Sequence, residues 1–322
     1  MIKAFKNPLI SFLGLMAFGV VANFSFDSFI HLMALLMIIN MILALSLNLV
    51  NGYTGQFSLG HAGFMATGAY CSAFLSTKLP LLPPPFDLFN FAIYGLAGGL
   101  LAAGAGYIVG LPSLRLKGDY LAIVTLGFGE IIRVILLNTE SVGGARGMYG
   151  IPGPSEPKFI LTYSLAIFWL LVTYFVIWRL VHSTHGRAFL SVREDEIAAE
   201  AMGINTTKTK VRAFVLSSFF AGVAGSLFAH VTNYLNPSSF TFQRSVDAVI
   251  MVVLGGMGSM SGSILAAVFI TVLPEALRPL QDITGVDLRM VIYALCLILL
   301  MILRPKGLFG NKEIMDYVRK SS

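Results

Sequence analysis

The chain has 322 residues, 56% of them hydrophobic and only 12% charged, with 22 Lys and Arg against 16 Asp and Glu for a net charge of +6. A soluble domain carries about 25% charged residues and must clothe its surface in polar groups. The composition therefore excludes an ordinary soluble enzyme and implies that lipid covers much of the surface. The basic residues sit in a few connecting segments and form no stripe interleaved with aromatics, which excludes a nucleic-acid binder.

A membrane-crossing helix needs about 20 apolar residues. In chain order, strong candidates run over approximately 8–24, 29–50, 88–111, 158–181, 212–235, 262–279 and 287–304, with weaker, short or glycine-rich ones at 57–77, 119–138 and 243–257. The first follows Lys3 and Lys6 and is read as a retained span, because Val20-Val21-Ala22 makes a poor cleavage site. The reading is an all-α polytopic membrane protein of eight to ten spans, about ten, some of them broken or re-entrant. Cytoplasmic loops are enriched in Lys and Arg. With the N-terminus inside, Arg115 and Lys117, then Arg187, Arg193, Lys208, Lys210 and Arg212, then Arg304, Lys306, Lys312, Arg319 and Lys320 all fall inside. The outer loops 79–87, 139–157, 236–242 and 280–286 hold a single basic residue, Arg146. An even number of spans with both termini in the cytoplasm follows.

Cys71 and Cys296 lie far apart in apolar stretches, without metal-type spacing, and read as small buried residues. Glycine is concentrated at Gly52, Gly55, Gly60, Gly63 and Gly68, and again at Gly255, Gly256, Gly258 and Gly262. The two regions are loosely alike, as the broken helices of a duplicated transporter would be, so an internal pseudo-repeat is expected; close helix packing is the competing reading. Glu130 and Arg133 are spaced to meet on one helix face. An intramembrane charge is costly and is usually paired, facing protein or water. Asn48, His61, Glu130, Arg133 and Asp247 are the candidates for a translocation pathway, each also readable as a structural residue. No nucleophile–base pair and no metal-ligand cluster is visible in the sequence.

The one long hydrophilic segment between spans is 182–211. Ser191-Val192-Arg193-Glu194 has the spacing of a capping box. Glu194, Asp195 and Glu196 put acid at the positive end of the helix that should follow. Ile197, Ala198, Ala201 and Met202 give it an apolar face, and Gly203 suits its left-handed end. Lipid binding favours a basic polar face, so this acidic one points to a protein partner. Gly203-Ile204-Asn205-Thr206-Thr207-Lys208-Thr209 is not a phosphate-binding loop, because Thr207 stands where glycine must precede the lysine.

Four segments carry a resemblance: ALSLNLVNGYTGQFSLGHAGFMATGAY, RLKGDYLAIVTLGFGEIIR, GRAFLSVREDEIAAEAMGINTTKTKVRAFVLSSFFAGVAGSL and LRPKGLFG. Together they resemble the membrane permease subunits of branched-chain amino-acid ABC importers, from about residue 40 to 310, and the second segment looks like the M-type permease. The resemblance implies a single permease domain over 1–322 with a coupling segment at 182–211 and a cytoplasmic tail at 305–322, in a bacterial inner membrane. It implies as partners two ATPase subunits, a second permease subunit and a periplasmic amino-acid-binding protein, besides membrane lipid. ATP and Mg would be bound by the ATPases, leaving this chain without a cofactor. Arg187, Arg193, Glu194, Asp195, Glu196, Ala199 and Gly203 match the family's ATPase-coupling segment. The outer loop departs from the family, with GGARGMYGIP where many relatives have Gly-Gly-Pro-Asn-Gly. Urea and short-amide importers use related permeases. Beside these stand two readings of another class: an ion-coupled secondary transporter using Glu130 or Asp247, and an intramembrane enzyme using Glu130 and His61.

Overall fold

The computed structural model describes residues 28–79, 87–114, 118–153, 159–278 and 307–310, with single helical residues scattered between 292 and 303. The expected span 8–24, most of 287–304 with Cys296, the prolines at 80–85 and most of the tail lie outside the described residues. The described residues are helical throughout, apart from loops and one isolated antiparallel bridge, Met148 to Leu235.

The helices with described bounds are, in order, α1 Ser28–Asn48, α2 His61–Lys78, α3 Asp87–Ser113, α4 Asp119–Asn138, α5 Phe159–Val181, α6 Thr184–Glu194, α7 Glu196–Ala201, α8 Thr206–Thr232, α9 Phe242–Gly255 and α10 Met260–Ala276. Among the described residues, five stretches are long and apolar enough to cross a membrane: Phe29–Tyr53, Phe89–Ser113, Tyr120–Asn138, Leu161–Val181 and Thr206–Thr232. The third of these, a weak candidate by sequence, is a full-length apolar helix, since its glycines thin its side chains without breaking it. The segment 243–257 is shorter than a span, because α9 ends at Gly255 after 14 residues.

The centre of the bundle is α2, α3 and α8. Small residues let their backbones touch, the way helices associate where lipid removes the hydrophobic drive. A Cβ on Gly68 of α2 would collide with the backbone of Gly222 of α8, and one on Gly98 of α3 would lie 2.7 Å from the Gly68 carbonyl. Gly225 meets the Met65 carbonyl in the same way. Around this contact α1, α5, α9 and α10 bury Ile39, Ile42, Leu45, Ile167, Ile177, Val252 and Ala266. Hydroxyls in the apolar interior satisfy themselves on carbonyls one turn back, as Thr67 does on Gly63, Ser113 on Val109 and Thr173 on Trp169.

Helix α4 lies at the edge. It packs on α2 through Gly129, whose neighbour Gly63 would place a Cβ 2.8 Å from its Cα. Its other side exposes Tyr120, Ile123, Ile131, Val134 and Ile135.

Candidate functional site

Two helix breaks and the 182–211 segment meet at one end of the bundle. The first break follows α1, which widens into a π-turn over Leu49–Tyr53 and then runs without helix to Gly60. Such bulges mark functional positions more often than chance. Non-helical backbone at membrane depth must be satisfied by protein, and here it is. Gln56 N donates to the Val50 carbonyl, Ser58 N to Asn51 Oδ1 at 3.2 Å, and Leu59 N to Thr125 Oγ1 at 3.0 Å.

The second break separates α9 from α10. Gly256 and Gly258 take φ of 108° and 91°, which only glycine adopts readily. Ser259 caps α10, accepting from Gly262 N at 3.1 Å. The 307–310 segment closes the α9 end: Leu308 N donates to the Leu254 carbonyl at 2.8 Å and Phe309 N to that of Gly255. The 307–310 end of the LRPKGLFG motif thus contributes a cap.

Asn48 joins the two breaks. Its Oδ1 accepts from Gly258 N at 2.9 Å and its Nδ2 donates to the Ser259 carbonyl at 3.0 Å, both buried. The two glycine-rich regions of the sequence are therefore neighbours in space.

The 182–211 segment packs against this junction. Ser183 caps α6, which buries Phe189 and Val192. Helix α6 ends at Glu194, one turn later than the expected capping box would start a helix. Ser191 Oγ instead donates to the Ala188 carbonyl. The true N-cap is Asp195: extended at φ −156°, it accepts from Ile197 N at 2.9 Å and Ala198 N at 3.1 Å. The Asp195 carboxylate reaches those amides from an extended backbone, whereas Ser191 lies inside a helix and has only carbonyls of the preceding turn in reach. Gly203 ends α7 as expected, with φ +83°. Gly203 N donates to Glu200 and Ile204 N to Ala199, the paired bonds of a Schellman end.

The seven coupling candidates divide by direction. Arg193 turns inward and donates from Nη1 to the Gly52 carbonyl, 3.0 Å away in the π-turn. Glu196 turns inward and pairs with Lys210 of α8 at 2.7 Å, where the Lys210 side chain is 1% exposed. Ala199 is buried. Arg187, Glu194 and Asp195 face outward, as does Gly203. Beside them Ile197 and Met202 are 73% and 83% exposed, so the apolar face of α7 points away from the bundle. The segment has a back that grips the π-turn and α8, and a front of apolar and acidic groups.

The pathway candidates do not form one cluster through their contacts. Asn48 sits in the junction described. His61 is buried, with Nε2 2.8 Å from Ser46 Oγ, and the Ser46 carbonyl accepts from Ser217. Glu130 and Arg133 pair at 2.6 Å on α4, each partly exposed. Asp247 lies in the second turn of α9, beside Gln243 and Arg244. It does not cap that helix, whose N-cap is Thr241. Arg244 donates to Asn40 Oδ1, and Asn40 donates to Thr271, a cross-link of α9, α1 and α10. Among the described residues no group of three His, Cys, Asp or Glu is placed to hold a metal.

At the opposite end the glycine-rich loop 139–153 is fixed. Met148 and Leu235 exchange backbone bonds of 2.8 and 3.0 Å. His230 joins the loop to the bundle, with Nδ1 2.8 Å from the Pro152 carbonyl and Nε2 2.7 Å from Ser72 Oγ. Sequence reasoning missed His230; a lone polar residue near the end of an apolar helix was the available signal. The rings of Tyr149 and Tyr234 lie 4.4 Å apart at the surface. Their shared hydroxyl bond raises the Tyr149 phenol and lowers that of Tyr234, the acceptor.

The family of branched-chain amino acid transport system permease components matches residues 29–301. The chain is 40% identical to the high-affinity branched-chain amino acid transport system permease protein LivM of Salmonella typhimurium, over 85% of this chain and 68% of that protein. It is 39% identical to LivM of Escherichia coli, with the same coverage, and 24% identical to LivH of that organism, over 85% of this chain and 92% of LivH. No solved structure matches. The chain is a multi-pass membrane protein and belongs to the family of permease components of branched-chain amino acid transport systems.

Proposed function

We propose that this chain is the permease subunit of an ATP-driven importer of leucine, isoleucine and valine, moved by two separate ATPase subunits that dock on the 182–211 segment. The observation that carries the reading is the two-sided build of that segment. An ATPase cleft would take the exposed front of the segment, with Glu194, Ile197 and Met202. Its back passes the motion on, through Arg193 to the π-turn and through Glu196 to α8. Asn48 then relays it to the break between α9 and α10.

The arrangement of contacts supports the topology. The π-turn, the segment 182–211, the α9–α10 turn and residues 307–310 gather at one end, and the loops around Met148 and Leu235 at the other. The basic segment 182–211 belongs to the first end, which we assign to the cytoplasm of a bacterial inner membrane, with both termini there. The described helices and the apolar runs 8–24 and 287–304 make about ten spans in a single permease domain, 1–322. The meeting of two similar glycine-rich breaks favours an internal repeat. A second permease subunit would cover the exposed apolar side of α4, giving the Glu130–Arg133 pair protein or water to face in place of lipid. A periplasmic amino-acid-binding protein would deliver substrate at the far end. Asn48, His61, Glu130, Arg133 and Asp247 stay candidates for the pathway, and ATP and Mg belong to the ATPases.

The test is uptake of labelled leucine by cells lacking the chromosomal copy of this chain. Restored uptake, competed by isoleucine and valine but not by urea, is the expected result. Competition by urea or short amides alone would reassign the substrate.

A further inference from the structure

An apolar groove of about 540 Å³ runs between α3, α5, α6 and α8, away from the junction of helix breaks. Tyr107, Leu180, Phe189, Val215 and Phe219 line its walls. The charged-capable groups at it are Arg212 and His185, both exposed. Among the described residues no carboxylate lines the groove, and none pairs with Arg212. The basic character continues along the chain: Arg179 precedes Leu180, Arg187 follows His185 by two residues, and Lys208 lies one helical turn before Arg212.

These features select an occupant. A zwitterionic amino acid favours an anionic partner for its ammonium, and the described lining offers no carboxylate. An amphipathic partner helix is 10–12 Å across, so the groove would admit roughly one turn of it. A single acyl chain fits better: at roughly 30 Å³ per water-sized group, the volume holds about eighteen. Three of the four walls, α3, α5 and α8, are helices long and apolar enough to cross a membrane, so acyl chains are the material that surrounds them. Basic pockets between such helices bind anionic headgroups. We propose that the groove is a binding site for one anionic phospholipid, its acyl chain along Val215 and Phe219 and its phosphate against Arg212 and His185. Because His185 and Phe189 come from α6 and Arg212 from α8, the lipid would bridge the 182–211 segment to the bundle.

The test uses the full-length chain, with any subunits that co-purify, stripped of lipid in detergent. It is then mixed with phosphatidylglycerol or phosphatidylcholine, and retained lipid is counted by native mass spectrometry. Wild type should keep one phosphatidylglycerol per chain in preference to phosphatidylcholine. Val215→Trp, which fills the groove, should keep neither. Arg212→Gln should hold lipid with the anionic preference reduced about 5-fold, the effect of removing one cation near such a headgroup. Equal retention of the two lipids by wild type, or retention indifferent to both substitutions, would overturn the proposal. So would a protein chain captured in the groove by a photo-cross-linker placed at Val215. Arg212 is exposed, so Arg212→Gln decides the matter if Val215→Trp does not fold. Transport is not part of the readout, so a failed uptake assay leaves this result standing.

Discussion

Replacing Glu196 by Gln should loosen α7 from the bundle without unfolding the protein. The carboxylate lies 2.7 Å from the Lys210 ammonium, and Lys210 is 1% exposed while Glu196 is 24% exposed. Breaking a fully buried pair costs about 3–5 kcal/mol, because an uncompensated charge remains inside. Water reaches Glu196, and glutamine keeps an acceptor oxygen, so we place the cost below that range, about 2–3 kcal/mol. That is roughly a 30- to 160-fold rise in the population of the opened segment. The readout is amide hydrogen exchange. Ala199, Met202, Gly203 and Ile204 all donate within the α7 turn and should exchange faster together. Exchange around Gly68 and Gly222 in the bundle centre should not change. The double variant Glu196→Gln, Lys210→Met should recover most of the protection, since removing both partners leaves no buried charge. Unchanged exchange in the single variant, or a double variant worse than either single one, would refute the reasoning.

Other substitutions test neighbouring joints. Arg193→Ala removes the bond to the Gly52 carbonyl, worth about 1.5–3 kcal/mol for a charged donor; in the assembled transporter, ATP hydrolysis should persist while leucine carried per ATP falls severalfold. Asn48→Ala leaves Gly258 N without its acceptor, at about 1–3 kcal/mol, while the Ser259 carbonyl keeps its bonds from Ser263; the variant should lower the melting temperature measured in detergent. Gly68→Val forces a side chain into the Gly222 backbone and should abolish a monodisperse elution peak. Gly203→Ala meets open space but must hold φ +83°, a cost of about 1–2 kcal/mol, so it should weaken uptake while leaving elution normal.

Much of the architecture was legible because apolar run length is a strong signal in a membrane protein. Helices α1, α3, α4, α5 and α8 fall where runs of about 20 apolar residues predict them. The Glu130–Arg133 pair and the Gly203 terminus were legible for a related reason: both are set by spacing within a single helix. The junction was not legible. Asn48 and Gly258 are 210 residues apart, and no local pattern reports a contact of that range. The inward turn of Arg193 and Glu196 was hidden likewise, because their partners, the Gly52 carbonyl and Lys210, lie on other elements. The capping box misled because Ser191 and Glu194 have the right spacing inside a helix that had already begun at Thr184.

The central claim, import powered by ATPases docked on the 182–211 segment, is tested most directly by reconstitution. Proteoliposomes would hold this chain with its second permease and ATPases, with the amino-acid-binding protein on the outer side, and uptake of labelled leucine would be measured with and without internal ATP. The account predicts uptake that requires ATP and every subunit, and that falls when Glu194 and Met202 on the exposed front of the 182–211 segment are replaced together. Leucine uptake by this chain alone, driven by a proton or sodium gradient without ATP, would contradict it.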